Sequence, residues 1–197
     1  DKFFAAKMEE EQQRYHKYND TAYNLEPNLK EGPVGLRDIH LIGWVAKRHF
    51  GATTLHDLVG HSFLTESEYQ TLMEAQEFLW QVRCMLHTMA GRREDRLLFD
   101  YQRTLAKAFG YEDDAKRLGV EKFMRQYYRT AMIVGSLHQM LLQLFQEAIL
   151  YAHTTTTIVP LNKRFQLRND FIEATHDKIF LHYPFALLEI FLLMQQH

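Results

Sequence analysis

The chain has 197 residues, 46% of them hydrophobic and 24% charged, with a formal net charge of −2. That length can bury about 70% of its unfolded surface without covalent staples, and the charge balance lacks the positive excess that marks partners of nucleic acid or anionic membrane. The single cysteine, Cys84, excludes an internal disulfide and fits a reducing, cytoplasmic setting; its apolar neighbours make it a packed thiol rather than a reactive one.

Helical periodicity dominates the first three quarters. A first helix is predicted from Lys2 to Asn19, ended by a loop carrying Pro27, Gly32 and Pro33. A second runs from Gly35 to His49 with Leu36, Ile39, Ile42, Trp44 and Val45, and Gly51 stops it. After a short turn near Leu55–Val59, "TESE" places Thr65 and Glu68 at capping-box spacing. The helix this opens continues to Ala90, with Gly91 as its C-terminal stop and Leu72, Leu79, Val82 and Leu86 on its buried face. A shorter helix covers Tyr101–Phe109. The longest is expected from Val120 to Tyr151, with Gly135 in its interior costing about 1 kcal/mol against Ala unless a close contact or a bend requires it.

After Tyr151 the texture changes. Residues 152–164 are polar, carry Pro160 and lack a helical period, so they are predicted to be a connector. Two short runs around Asn169-Asp170 fit a small hairpin, and Pro184 opens a last apolar helix. That helix, Phe185–Met194, is about half the length needed to span a bilayer, and its nearly all-round apolarity implies burial against a partner. The fold class is therefore all-α: an up-down helical bundle over residues 1–151, then the connector, then a hairpin and helix over 165–197. With no initiating Met and amphipathic segments at both ends, the chain reads as a fragment of a longer protein.

Most familiar chemistries find no foothold. No two of the eleven histidines stand three or four apart, the spacing that sets two metal ligands on one helix face. The His56-Asp57 and His176-Asp177 pairs lack further ligands, so no metal site is expected. There is no phosphate-cradling glycine loop and no nucleophile elbow, and Cys84 with His87 lacks an orienting carboxylate. Asp113-Asp114 reads as a solvated cap. The densest charge cluster, "GRREDRLLFD" over 91–100, offers Arg92, Arg93 and Arg96 either as a salt-bridged corner or as a second-choice anion surface.

The most informative stretch is "NLKEGPVGLRDIH", residues 28–40. Arg37 falls in the first turn of a helix, the unfavourable end of the dipole for a cation. Pro33 with Val34 predicts a type I turn, since Val resists positive φ. Gly35 would cap the helix and leave amides pointing outward, so that Lys30, Gly35 and Arg37 would form a phosphate-binding corner. The alternative is that Arg37 pairs with Glu31 or Asp38 and serves structure alone. Local physics leaves the two level.

The blocks "YNLEPNLKEGPVGLRDIHLIGWVAKRHFGA", "FLWQVRCMLHTMAGRREDRLLFDYQ", "FMRQYYRTA", "LLQLFQEAIL" and "FQLRNDFIEA" together resemble the bifunctional PII uridylyltransferase/uridylyl-removing enzymes, across essentially the whole chain. A weaker likeness links "LKEGPVGLRDI" and "EDRLLFDYQ" to glutamine synthetase adenylyltransferases. The resemblance implies a parent enzyme that transfers UMP from UTP to a tyrosine of the PII nitrogen-signalling protein with Mg²⁺, and removes it again. It implies a bundle of the kind that completes a nucleotidyltransferase cleft. This region would lie between a nucleotidyltransferase domain with Gly-Ser and Asp-x-Asp motifs and a metal-dependent HD domain, neither of whose motifs is present. On that basis Lys30 and Arg37 would face the triphosphate, Asp38 would orient Arg37, and catalytic carboxylates and metal would come from elsewhere. The alternative role is a non-catalytic scaffold that spaces the catalytic domains and docks PII. Where the family reads Gly-Pro-Gly-Gly, this chain has Gly32-Pro33-Val34-Gly35, which puts a close approach of backbone to phosphate in question.

Overall fold

The computed structural model describes residues 2–150, 157–169 and 171–196. Two compact units divide between Gln146 and Glu147.

The first unit is the helical bundle. Helix α1 spans Lys2–Lys17, α2 Leu36–Phe50, the single turn α3 Asp57–Gly60, α4 Glu66–Ala90, α5 Phe99–Ala108 and α6 Gly119–Leu150. Their ends follow local chemistry. Thr65 and Glu68 form the reciprocal capping box expected for α4, and Gly51 and Gly91 close α2 and α4 in the left-handed conformation. Asp113 accepts from the Gly119 amide at 2.6 Å, while Asp114 is shared by the Lys116 and Arg117 amides and the Lys122 ammonium, so this pair caps α6. Helix α4 packs on α2 and α5. It buries Leu72, Ala75, Leu79, Val82 and Leu86 against a core that includes Ile39, Ile42 and Val45 of α2 and Phe123, Tyr127 and Val134 of α6. Burying each large side chain of this kind is worth roughly 1.5–3 kcal/mol.

Cys84 departs from expectation. The buried stripe of α4 runs through positions 79, 82 and 86, and Cys84 sits off it, exposed. Its apolar sequence neighbours belong to a different face.

Between α1 and α2 the chain runs beside the segment joining α4 to α5. The Leu29 amide donates to Asp95 O at 2.8 Å and the Leu97 amide to Pro27 O at 2.9 Å, an antiparallel bridge centred on Asn28 and Arg96. Leu29 and Leu97 are fully buried beneath it. The buried Gln102 amide secures the crossing by donating to Leu25 O and Leu97 O.

The second unit is a three-stranded antiparallel sheet with two helices. Strand β1 (Ile158–Pro160) pairs with β2 (Phe165–Arg168), and β2 with β3 (Phe171–Ala174). The expected hairpin is present; Arg168 pairs with Phe171, and Asp170 of its turn lies outside the described residues. Strand β1 occupies part of the expected connector, with Pro160 at a sheet edge, where a missing amide costs no ladder bond. Residues 152–156 of that connector lie outside the described residues. Helix α7 (Ile179–His182) precedes the apolar helix α8 (Ala186–Gln196). Phe165, Ile179 and Ala186 form the core of this unit. Glu189 accepts a two-pronged bond from Arg164, 2.6 Å on each prong. Among the described residues no helix is long and apolar enough to cross a membrane.

Candidate functional site

The segment before α2 is built by its own short-range bonds. Asn28 Oδ1 accepts the Lys30 and Glu31 amides, and the Gly35 amide donates to Gly32 O at 3.1 Å, closing the Gly-Pro turn. Val34 takes φ 58°, the left-handed geometry of a type II turn, so the type I turn expected from its β-branched side chain is not what forms. That conformation costs about 1–3 kcal/mol for a non-glycine residue. It aims the Val34 amide at Asp38 Oδ2, 2.7 Å away.

The helix amides are not free to meet a phosphate, which corrects the sequence reading. Leu36, Arg37 and Asp38 donate to Leu29 O, Lys30 O and Gly35 O at 2.9–3.1 Å. A Cβ at Gly35 would stand 2.9–3.0 Å from the carbonyl oxygens of Gly32, Lys30 and Leu29. Glycine is needed here to admit three carbonyls, and their negative ends are a poor surface for an anion.

Asp38 is also placed differently from expectation. It is fully buried and bonds Arg14 Nη2 at 2.5 Å, the Tyr15 hydroxyl at 2.6 Å and the Val34 amide. Burial, with the Asp38 charge beside it, pushes the Tyr15 phenol far above its usual range, so it stays protonated and donates. Arg14 also donates to Glu31 O and lies 4.0 Å from Glu11, which in turn bonds the buried His138 Nε2. Asp38 thus ties α1 to the Gly-Pro turn, and Arg37 is oriented instead by Glu31.

Glu31 grips Arg37 with Oε2 on Nε at 3.1 Å and Oε1 on Nη2 at 2.6 Å, and lies 3.4 Å from Lys30 Nζ. The hydrogen bonds from Arg37 lower the Glu31 pKa and raise that of Arg37. The negative charge that offsets the misplaced cation is therefore supplied from within. Arg37 Nη1 has no partner among the described residues. On the same α2 face lie His40 and Trp44; Arg37 Cζ stands 5.4 Å and Lys7 Nζ 4.7 Å from the Trp44 ring centre. His40 is half-buried. Its pKa is lowered first by that burial and then by the charges of Arg37, Lys30 and Arg83, against which only Glu31 acts.

The bridge between Asn28 and Arg96 brings the first- and second-choice basic segments together, which their separation in sequence conceals. Within the second, Arg92 pairs with Glu94 at 3.1 Å, and Asp95 holds Arg83 at 2.6 Å and His87 at 3.1 Å. Arg93 and Arg96 are exposed without ion-pair partners among the described residues. Among the described residues only Arg92 of the three arginines joins a salt bridge, and Asp95 is held instead by Arg83, an anchor that sequence does not reveal. A hollow of about 450 Å³ beside the start of α6, lined in part by Arg103, Lys107 and Tyr111, includes none of these candidates.

Glu11, Asp38 and His138 offer ligand atoms within 4.8 Å of one another, close enough for a metal. The Arg14 guanidinium already supplies the positive charge there, and an imidazole among the donors does not suit Mg²⁺, which prefers an oxygen shell. The sequence did carry a signal for this network. Glu11 and Arg14 fall on the stripe that begins at Phe4 and Met8, and His138 lies among Val134, Leu137 and Leu141.

Residues 2–142 match the GlnD PII-uridylyltransferase family profile, and residues 165–197 match the profile of the uridylyltransferase GlnD third domain. Over 195 residues, 99% of this chain, it is 56% identical to the bifunctional uridylyltransferase/uridylyl-removing enzymes of Nitrosococcus oceani and Pseudomonas aeruginosa, and 52% identical to that of Pseudomonas putida. The chain spans 22% of the length of these relatives. No solved structure matches it significantly. With residues 2–142 matched by its profile, the chain belongs to the GlnD PII-uridylyltransferase family.

Proposed function

We propose that this chain is the helical substrate-binding region of a cytoplasmic enzyme that transfers UMP from UTP to the PII signalling protein and removes it again. Lys30 and Arg37 face the triphosphate or the leaving pyrophosphate. The observation that carries this reading is the hold on Arg37. A half-buried guanidinium is gripped along one edge by Glu31 while Nη1 is left over, on a surface shared with Lys30 and His40. A cation fixed before the anion arrives stabilises developing charge without reorganising. On this reading catalytic carboxylates and Mg²⁺ belong to neighbouring parts of the enzyme; the Glu11, Asp38 and His138 cluster, with an imidazole among its donors, is not assigned to that ion.

The test is Arg37→Ala in the full-length enzyme. A fall of about tenfold or more in kcat/KM for UTP, with the removal reaction unchanged, is the expected result. Unchanged uridylylation kinetics would refute the assignment.

A second reading, a non-catalytic scaffold that spaces the catalytic domains and docks PII, is favoured by one observation. Arg37, Arg83 and Arg92 each have an internal carboxylate partner, so each has a structural duty whether or not a nucleotide is bound.

A further inference from the structure

We infer that Lys30, Arg37, His40 and Arg83 make up a single anion-binding surface fitted to a polyphosphate. This rests on the reading that the corner before α2 faces the phosphates of a nucleotide, and it adds two residues, His40 and Arg83, from α2 and α4.

The four side chains are joined by bonds already described. Glu31 connects Lys30 to Arg37. The Leu29 amide is bonded to Asp95 O, and the Asp95 carboxylate holds Arg83, so Arg83 is tied to the residue adjoining Lys30. His40 follows Arg37 by three positions on α2, which puts both on one face. The charges His40 senses are Arg37, Lys30 and Arg83 on the positive side and Glu31 on the negative. These come from the loop, from α2 and from α4, which the Asn28–Arg96 bridge and the Arg83–Asp95 bond hold side by side.

The donors are prepared but not spent. Arg37 uses Nε and Nη2 on Glu31, and Arg83 uses Nε on Asp95, so Nη1 of the first and both terminal nitrogens of the second take no partner among the described residues. The side chains of Lys30, Arg37 and Arg83 are each about one quarter exposed, at 25%, 24% and 25%. They can be reached by a ligand, and packing has already restricted them, which lowers the ordering cost of binding. Their spread over two elements and a loop suits a chain of phosphates better than one compact anion, which a single Arg fork would satisfy. Binding of that chain makes protonation of His40 favourable, so proton uptake from solvent accompanies it.

The test follows the His40 ring proton by NMR in the 197-residue protein, titrated across pH with and without inorganic tripolyphosphate. The expected result is a His40 midpoint raised by about one pH unit, equivalent to tenfold tighter binding to the protonated form. Arg37→Gln and Arg83→Gln should each weaken tripolyphosphate binding about tenfold with the fold retained by circular dichroism. A His40 midpoint unmoved at millimolar tripolyphosphate overturns the surface, as does an equal shift of every histidine, which is bulk screening. A null result here alongside impaired uridylylation by Arg37→Ala removes the surface and keeps the nucleotide reading. Specific binding here with normal uridylylation keeps the surface and removes the nucleotide.

Discussion

Val34 and Gly135 are fitted to each other: a Cβ built on Gly135 would lie 2.8 Å from Val34 Cγ1. The glycine inside the longest helix, unfavourable by about 1 kcal/mol on propensity alone, is the space into which the left-handed Val34 places its methyl group. Gly135→Ala should therefore destabilise the bundle by about 1–3 kcal/mol despite improving helix propensity. Val34→Gly relieves both the contact and the strained φ, so Val34→Gly/Gly135→Ala should recover most of the loss. Urea denaturation of the four proteins gives the coupling energy, expected at about 1 kcal/mol or more. Additive effects would disprove the pairing.

Asp38 has no slack. Its carboxylate is fully buried and committed to Arg14, Tyr15 and Val34, so Asp38→Ala strands a buried guanidinium and two donors. Breaking a buried pair from one side costs about 3–5 kcal/mol, and a fall in Tm of about 10 °C is expected for a domain of this size. Tyr15→Phe removes one hydrogen bond and should cost only about 1–2 kcal/mol. A calorimetric scan in which the two variants melted together would show that Asp38 is not the hub.

Helix ends were legible because their determinants are local: the Thr65–Glu68 box and the glycines after α2 and α4 lie within a few residues of what they stop. The turn at Val34 was not, because what holds it in the left-handed region is the Asp38 carboxylate and the space at Gly135, one of them on a distant helix. The site was half legible for the same reason. Lys30, Arg37 and the possible Glu31 partner stand close in sequence, whereas Arg14 as the partner of Asp38, and Arg83 beside the loop, are products of packing. Strand β1 escaped notice because its three residues are all exposed and show no alternation to read.

Cys84 supplies a check on the orientation of α4. Its thiol is exposed on the face opposite Val82 and Leu86, so the folded protein should react with one equivalent of an aromatic disulfide reagent as fast as a small free thiol of similar acidity. Reaction only after addition of denaturant would mean that α4 is rotated from the position described.

Acid should weaken the bundle in two stages with separate origins. Burial, then Arg37 and Lys30, hold the folded His40 pKa below its usual value near 6.5, and burial with Arg48 acts the same way on His49. As pH falls below about 6.5 the unfolded chain takes up these protons first, so stability declines between there and the depressed folded values. Asp95 comes in lower. Burial would raise its pKa, but the hydrogen bonds and charges of Arg83 and His87 outweigh it and leave the carboxyl below its ordinary value. Its contribution is complete above about pH 4 and disappears as pH falls through the folded value. Urea midpoints measured from pH 8 to pH 3 should show both declines. His40→Gln should shrink the upper one to the share of His49 and leave the lower, whereas Arg83→Gln should shrink the lower by removing one of the two groups that hold Asp95 ionised. The same Arg83 substitution also relieves His40 of a neighbouring cation, so the upper decline should become shallower without vanishing. Stability that stayed level from pH 8 to pH 5 would mean that the fold holds neither His40 nor His49 below its ordinary pKa.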